Sequence, residues 1–330
     1  MTSRAHILLA CFVGLNRFDL DRAIKAVPDS HCSAEKCPNH KRACCGHSSN
    51  HEPDVRLALY LLPGRIQAHY LSIVVVMETV EVSRNDRVFT VTMNRPDRKN
   101  AINGTMWREL TQAFTQIKEE REAWVVVLAG AGENFSSGGD LTGGSMGSRE
   151  QAMQQITDLV AAIHRLPMPT IAKVRGYCIG GGMGVAMACD LLIASETAKF
   201  TQNFALRGMS LDSGASHSLP RRIPMHRAKE LAFLAEFIDA KAAEEMGLLN
   251  KLVTDTELDA VVDQWANRIA SLPPTSVQNN KRLLNNSLGI SMEQALEDEA
   301  TAQYQNWSTK DFVEAMQAFR DKRPPKFEGR

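Results

Sequence analysis

Two glycine-rich stretches carry most of the chemistry this sequence could perform: "GENFSSGGDL" at residues 132–141 and "GYCIGGGMG" at residues 176–184. Glycine lets a backbone approach a ligand without a Cβ in the way. A glycine turn that opens a helix also aims free N–H groups, with the positive end of the helix dipole, at one point. Two such turns facing each other would make a pair of donors for an oxyanion that develops during a reaction. The alternative for either turn alone is tight packing of helix on strand. Neither stretch is a G-x-x-x-x-G-K-S/T loop. Neither fits G-x-G-x-x-G with the acidic residue about 20 positions on that a dinucleotide site wants. Cys178 precedes the second turn, but no histidine is close in sequence, so it is not read as a nucleophile. Asp140 and Asp190 each follow a motif core, where a carboxylate ties a turn through backbone N–H groups.

The elements around these turns alternate. In "METVEVSRNDRVFTVTMNRP", Phe89, Val91 and Met93 alternate with Thr90 and Thr92, which predicts a half-buried strand; a second strand precedes the turn at Asn85-Asp86. Met106, Leu110, Phe114 and Ile117 share one face of a predicted helix. "AWVVVLAG" predicts a buried strand, "QAMQQITDLVAAIHRL" a helix ended by Pro167 and Pro169, and "TIAKVRG" a strand leading into the second turn, its helix and the strand "LLIAS". Strand, glycine turn and helix thus recur, an α/β pattern with parallel-type crossovers. The last part reads as helices, with Asp239 placed to cap "AKAAEEM" and Gly247 to close it.

Lys plus Arg number 38 and Asp plus Glu 38 in 330 residues, so no basic surplus points to nucleic acid or an acidic membrane. "ILLACFVGL" and "LSIVVVM" fall short of the roughly 18 apolar residues a membrane span needs. No convincing cleavage site follows the first of them, so a cytoplasmic location is expected. Five of the seven cysteines lie in the first 45 residues and six of the nine histidines precede residue 70. Thiolate and imidazole suit zinc, yet "HCSAEKCPNHKRACCGHSSNH" at 31–51 lacks the paired C-x-x-C or H-x-x-x-H spacing of a zinc site. No metal is expected, and residues 1–76 read as a poorly ordered extension before a core at 77–270 and a helical region at 271–330.

From Met77 onward, "MNRPDRKNAINGTMWREL", "FSSGGDL", "VRGYCIGGGMGVAMACDLLIAS" and "AKAAEEMGLLNKLV" occur in the order and spacing of one family. The chain resembles the enoyl-CoA hydratase/isomerase, or crotonase, superfamily. The resemblance implies a spiral of ββα units with a C-terminal helical region, and a homotrimer or homohexamer. It implies an acyl-CoA thioester substrate, coenzyme A being part of the substrate and no separate cofactor being needed. The thioester oxygen would sit between the backbone N–H groups of Gly139 and Gly181. The segment Lys99, Asn100, Ala101 and Ile102 would bind CoA, with Asp140 and Leu141 beside it. Arg98 or Lys99 would meet the nucleotide phosphates, and Lys281 is a weaker candidate for them.

Hydratases of this family carry two glutamates. By motif these positions are Gly184 and Phe204 here, and neither side chain can give or take a proton. Asp212, in "MSLDSGASHSLPRRIP", matches an aspartate of the dienoyl-CoA isomerases. It matches more closely that of the phenylacetate-pathway isomerase of epoxyphenylacetyl-CoA. Asp212 is therefore the candidate acid–base; the alternative is a turn or helix cap. His217 is read as a surface or core histidine rather than a second acid–base. The leading expectation is an isomerase-type proton shuttle. Hydration, thioester hydrolysis or decarboxylation on the same scaffold, and a non-catalytic acyl-CoA binder, are the competing readings.

Overall fold

A computed structural model describes residues 73–142 and 147–330. The Cys/His-rich stretch at 31–51 lies outside the described residues. Strand β1 (Ile73–Val76) pairs antiparallel with β2 (Val80–Asn85), which turns at Asp86 into β3 (Val88–Met93). Four residues before Met77 therefore already belong to the sheet. Helix α1 (Gly104–Lys118) starts where the Asn103 side chain accepts the Met106 N–H at 2.9 Å. It buries Met106, Trp107, Leu110, Phe114 and Ile117, each contributing about 1.5–3 kcal/mol by leaving water.

Strand β4 (Val125–Gly130) follows, then α2 (Arg149–His164), whose first turn is closed by a capping box between Ser148 and Gln151. Next come β5 (Thr170–Val174), β6 (Tyr177–Ile179), α3 (Gly181–Ala188), β7 (Leu191–Ser195) and β8 (Lys199–Thr201). The helices α4 (Ala215–Arg222) and α5 (Met225–Leu234) lead to β9 (Ile238–Asp239) and α6 (Ala240–Glu245), which Asp239 caps through Ala242 N at 2.8 Å. After β10 (Lys251–Val253) the chain is helical: α7 (Leu258–Ala270), α8 (Pro274–Asn286), α9 (Met292–Trp307) and α10 (Lys310–Asp321).

The main sheet has the order β1-β2-β3-β4-β5-β7-β10, antiparallel to β3 and parallel from β3 to β10. A smaller sheet, β6-β8-β9, lies apart in the pairing. The parallel strands read as continuous apolar runs because both their faces are covered: Val125, Val127, Ile171 and Ile193 pack against Leu258, Val262 and Ala266 of α7. Every residue of α3 is buried, which its composition of glycine, alanine, methionine and valine allows. No helix among the described residues is long and apolar enough to cross a membrane. The observed architecture is the mixed α/β class expected, with a central sheet and ten α-helices among the described residues.

Candidate active site

The two glycine turns meet. Gly138, at φ 92°, lies so close to the second turn that a Cβ there would sit 2.8 Å from the Ile179 carbonyl oxygen and 3.8 Å from the Gly181 nitrogen. Only glycine combines that backbone angle with that approach. Gly139, the next residue, has nothing within 4 Å of the place a Cβ would take, so its peptide borders open space. Gly181 is the first residue of α3. Its N–H is one of the donors that a helix start leaves without a partner in the helix. Among the described residues, neither the Gly139 nor the Gly181 N–H donates to a protein acceptor. The structure thus brings Gly138, the residue before Gly139, against the turn that carries Gly181.

The first turn is held from the 95–102 segment. Ile102 N donates to the Gly138 carbonyl at 2.8 Å, and Asp140 N donates to the Ile102 carbonyl at 3.0 Å, which fixes the Gly139 peptide from both sides. The Asn100 side chain, fully buried, donates to the Ala131 and Asn134 carbonyls at 2.9 and 2.7 Å and accepts from Arg95 N at 2.9 Å. The Ser136 hydroxyl donates to the Asn100 carbonyl at 2.8 Å and accepts from Gly138 N at 3.1 Å. Arg95 links the two strands of this clamp, donating to the Ala101 carbonyl at 2.6 Å and pairing with Asp140 at 2.9 Å. Asp140 therefore ties the turn, partly through an arginine that the sequence reading missed. Arg95 and Ser136 carry no motif of their own; their roles depend on contacts 36 to 45 residues away.

Around the candidate donors the walls are apolar. Trp107, 2% exposed, reaches within 3.7 Å of the Cβ position of Gly181. Phe204 is buried, 3.7 Å from the Cβ position of Gly180. Gly184 faces Ser213: a Cβ on Gly184 would stand 2.4 Å from the Ser213 Cβ and 2.7 Å from its carbonyl oxygen. The Ser213 Oγ in turn lies 3.3 Å from the Cβ position of Gly181 and donates to Asp212 Oδ1 at 2.8 Å. Asp212 is half-buried, and burial pushes its carboxyl pKa above the ordinary value, with the Ser213 hydrogen bond opposing. It does not cap α4, whose N-cap is Gly214 with no side-chain cap bond.

The other sequence candidates fall as follows. Lys99, at φ 50°, sets its ammonium 4.7 Å from the centre of the Tyr177 ring, and Arg98 and Leu141 are exposed. The Lys281 side chain is 8% exposed, pairs with Asp190 at 2.8 Å and donates to the Met168 carbonyl at 3.0 Å. Asp190 lies just past the C-terminal end of α3, the end away from Gly181. A cleft of about 550 Å³ opens there, and none of Gly139, Gly181 and Asp212 lines it. His217 is exposed on α4, edge-on to His164 with ring centres 6.1 Å apart. Cys178 is buried and burial pushes its thiol pKa well up, which leaves no thiolate to attack with.

A profile of the enoyl-CoA hydratase/isomerase family matches residues 83–330. The chain is 34% identical to a probable enoyl-CoA hydratase of Rhodobacter capsulatus over 76% of its length and 98% of the relative's. It is 34% identical to a short-chain-enoyl-CoA hydratase of Clostridium acetobutylicum over 77% of its length and 98% of that protein. The crystal structure of an enoyl-CoA hydratase from Bacillus anthracis superposes with a TM-score of 0.73 at 31% identity, covering 77% of this chain and all of that one. Two facing glycine turns on a crotonase-type fold, and a family profile running from β2 to the last residue, place this chain in the enoyl-CoA hydratase/isomerase family.

Proposed function

We propose that the chain is an acyl-CoA enzyme of the isomerase type, shuttling one proton through Asp212 while the Gly139 and Gly181 N–H groups hold an enolate. The observation that carries this reading is the placement of Asp212: half-buried, linked through Ser213 to the edge of Gly181, and not engaged in capping. Its carboxylate takes a C–H proton from the bound thioester, and the electron pair moves onto the thioester oxygen. The two amides stabilise that charge; losing one donor of such a pair costs roughly 3–4 kcal/mol in the barrier. The same carboxyl then returns the proton at a conjugated carbon, so the substrate leaves with its double bond shifted and its mass unchanged. Burial, which raises the carboxyl pKa above the ordinary value, suits a group that must both take and give a proton. Arg98 and Lys99 supply charge for the nucleotide phosphates, beside the Lys99–Ile102 backbone. This likeness to the phenylacetate-pathway isomerase is our reading of the motif around Asp212.

The names of the relatives favour hydration as the second reading. Against it, Gly184 and Phe204 stand where the family's two glutamates fall by motif, and Ser213 fills the space a side chain at 184 would need. Mass spectrometry of products from a panel of enoyl-CoA esters, run on wild type and Asp212→Asn, tests the proposal. An unchanged mass with a moved double bond, abolished in Asp212→Asn, is the expected result. A gain of one water overturns isomerisation. Turnover or ligand binding untouched by Asp212→Asn would fit a binder or another acid–base group. We also propose self-association as a trimer or hexamer, supported by Phe319, Leu284, Leu288 and Val313 of the C-terminal helical region, apolar side chains that lie exposed.

A further inference from the structure

Resting on the proton-shuttle reading above, we infer that Ser213 is the positioning residue for Asp212: its hydroxyl holds one carboxylate oxygen so that the other is left for substrate. The contact is short and unambiguous, Oγ to Oδ1 at 2.8 Å. Among the described residues, Oδ2 of Asp212 accepts no hydrogen bond from another side chain or from the backbone. A hydroxyl donor beside a carboxylate also favours the charged, proton-accepting form against the burial that opposes it.

Three features of the fold put the hydroxyl there. First, Ser213 sits at φ 49° and Gly214 at φ 73°, two successive left-handed residues that fold the side chain of 213 back toward α3. A non-glycine residue in that region persists only where its surroundings over-determine it. Second, Ser213 is 4% exposed, wedged against Gly184, and no side chain at 184 fits while Ser213 keeps its place. Third, its Oγ lies 3.3 Å from the Cβ position of Gly181, so the same side chain borders one of the two candidate donors and touches the candidate base. Gly184 and Ser213 thus act as one unit: the space a side chain at 184 would need is taken by the Cβ and backbone of Ser213, whose hydroxyl serves the single carboxylate.

Two variants and two readouts test this on the full chain. Ser213→Ala removes the hydroxyl and keeps the Cβ; Ser213→Gly removes both and relieves the backbone angle, so it folds at least as readily. Carbon-13 NMR of the aspartate carboxyls, with the Asp212 signal assigned by its loss in Asp212→Asn, reads the titration directly. Both variants are expected to raise the Asp212 midpoint by about one pH unit. The acid limb of kcat/KM for isomerisation should move by the same amount. At neutral pH, kcat should fall about tenfold with KM within about twofold, the effect of losing one charge-assisted bond that orients a base. An unmoved midpoint in both variants overturns the inference. The failure of the shuttle itself looks different: Asp212→Asn then keeps full isomerase turnover, whatever the NMR midpoint of Asp212 does in the serine variants.

Discussion

Asp190 and Lys281 form a partly buried ion pair, 2.8 Å from Oδ2 to Nζ, just past the last turn of the helix whose first residue is Gly181. Asp190 also accepts from Thr170 N and Oγ1 at 2.7 and 2.9 Å, so the pair ties β5, β7 and α8 together behind the site. Removing one member of a partly buried pair leaves the other charge without its partner and costs about 1.5–3 kcal/mol. Lys281→Ala should therefore lower unfolding stability by that amount in urea, while KM for the CoA ester stays within twofold of wild type. A raised KM at unchanged stability would return Lys281 to the nucleotide phosphates.

Gly184→Glu restores, by motif, the first glutamate of the hydratases. The expected outcome is loss of stability without a gain of hydration, because the new Cβ meets the Ser213 Cβ and its backbone carbonyl at 2.4 and 2.7 Å. Overpacking of this kind costs about 1–3 kcal/mol, and more where backbone must shift. Urea denaturation and a product assay on the same preparation check it; hydration at wild-type stability would contradict the packing described.

Gly138→Ala should depress kcat about 100-fold or more, since the Cβ would push the Gly139 turn off the Ile179 carbonyl and spoil one of the two proposed oxyanion donors. The strained angle adds about 1–3 kcal/mol of instability. Steady-state kinetics with a stability measurement would separate the two effects. Full activity would mean that the Gly139 peptide is not a donor.

Asp212, the proposed acid–base, ties stability to pH. Its folded pKa is raised by burial, the Ser213 bond opposing, so the folded protein holds this proton more tightly than the unfolded chain does. Its favourable contribution is complete below the unfolded aspartate pKa of about 3.9 and disappears as pH climbs through the folded value. Asp212→Asn, which keeps an oxygen for Ser213 to donate to, should therefore be more stable than wild type at pH 7, with the advantage vanishing toward pH 4. Thermal melts across that range test the sign; a destabilised Asn variant at pH 7 would reverse it.

Much of the scaffold was legible because its elements are long enough to show a period. The α1 face of Met106, Leu110, Phe114 and Ile117 is buried as spaced, and Asp239 and Gly247 bound α6 as their cap chemistry requires. The smaller sheet was not legible, since strands of two or three residues, β6, β8 and β9, carry no repeat. Strand β1 was missed for a related reason: residues 73–76 are uniformly apolar and have no turn signal marking their start. Asp190 was read as a turn tie and does bond Thr170, but its partner Lys281 lies 91 positions away, beyond any local pattern. Ser213 was hidden in plain view next to Asp212. Its role depends on Gly184 approaching from another helix, which spacing along the chain does not reveal.

The two proposed amide donors rest on unequal foundations. Gly181 belongs to a helix with no solvent-facing side, whereas Gly139 sits on an exposed turn tied down by a handful of hydrogen bonds to residues 100–102. Segments of the second kind open at lower free energy than the body of a domain. Mild heat should thus silence this enzyme while its circular dichroism still looks native, and its operating ceiling would be set by one loop, well below the melting of the whole.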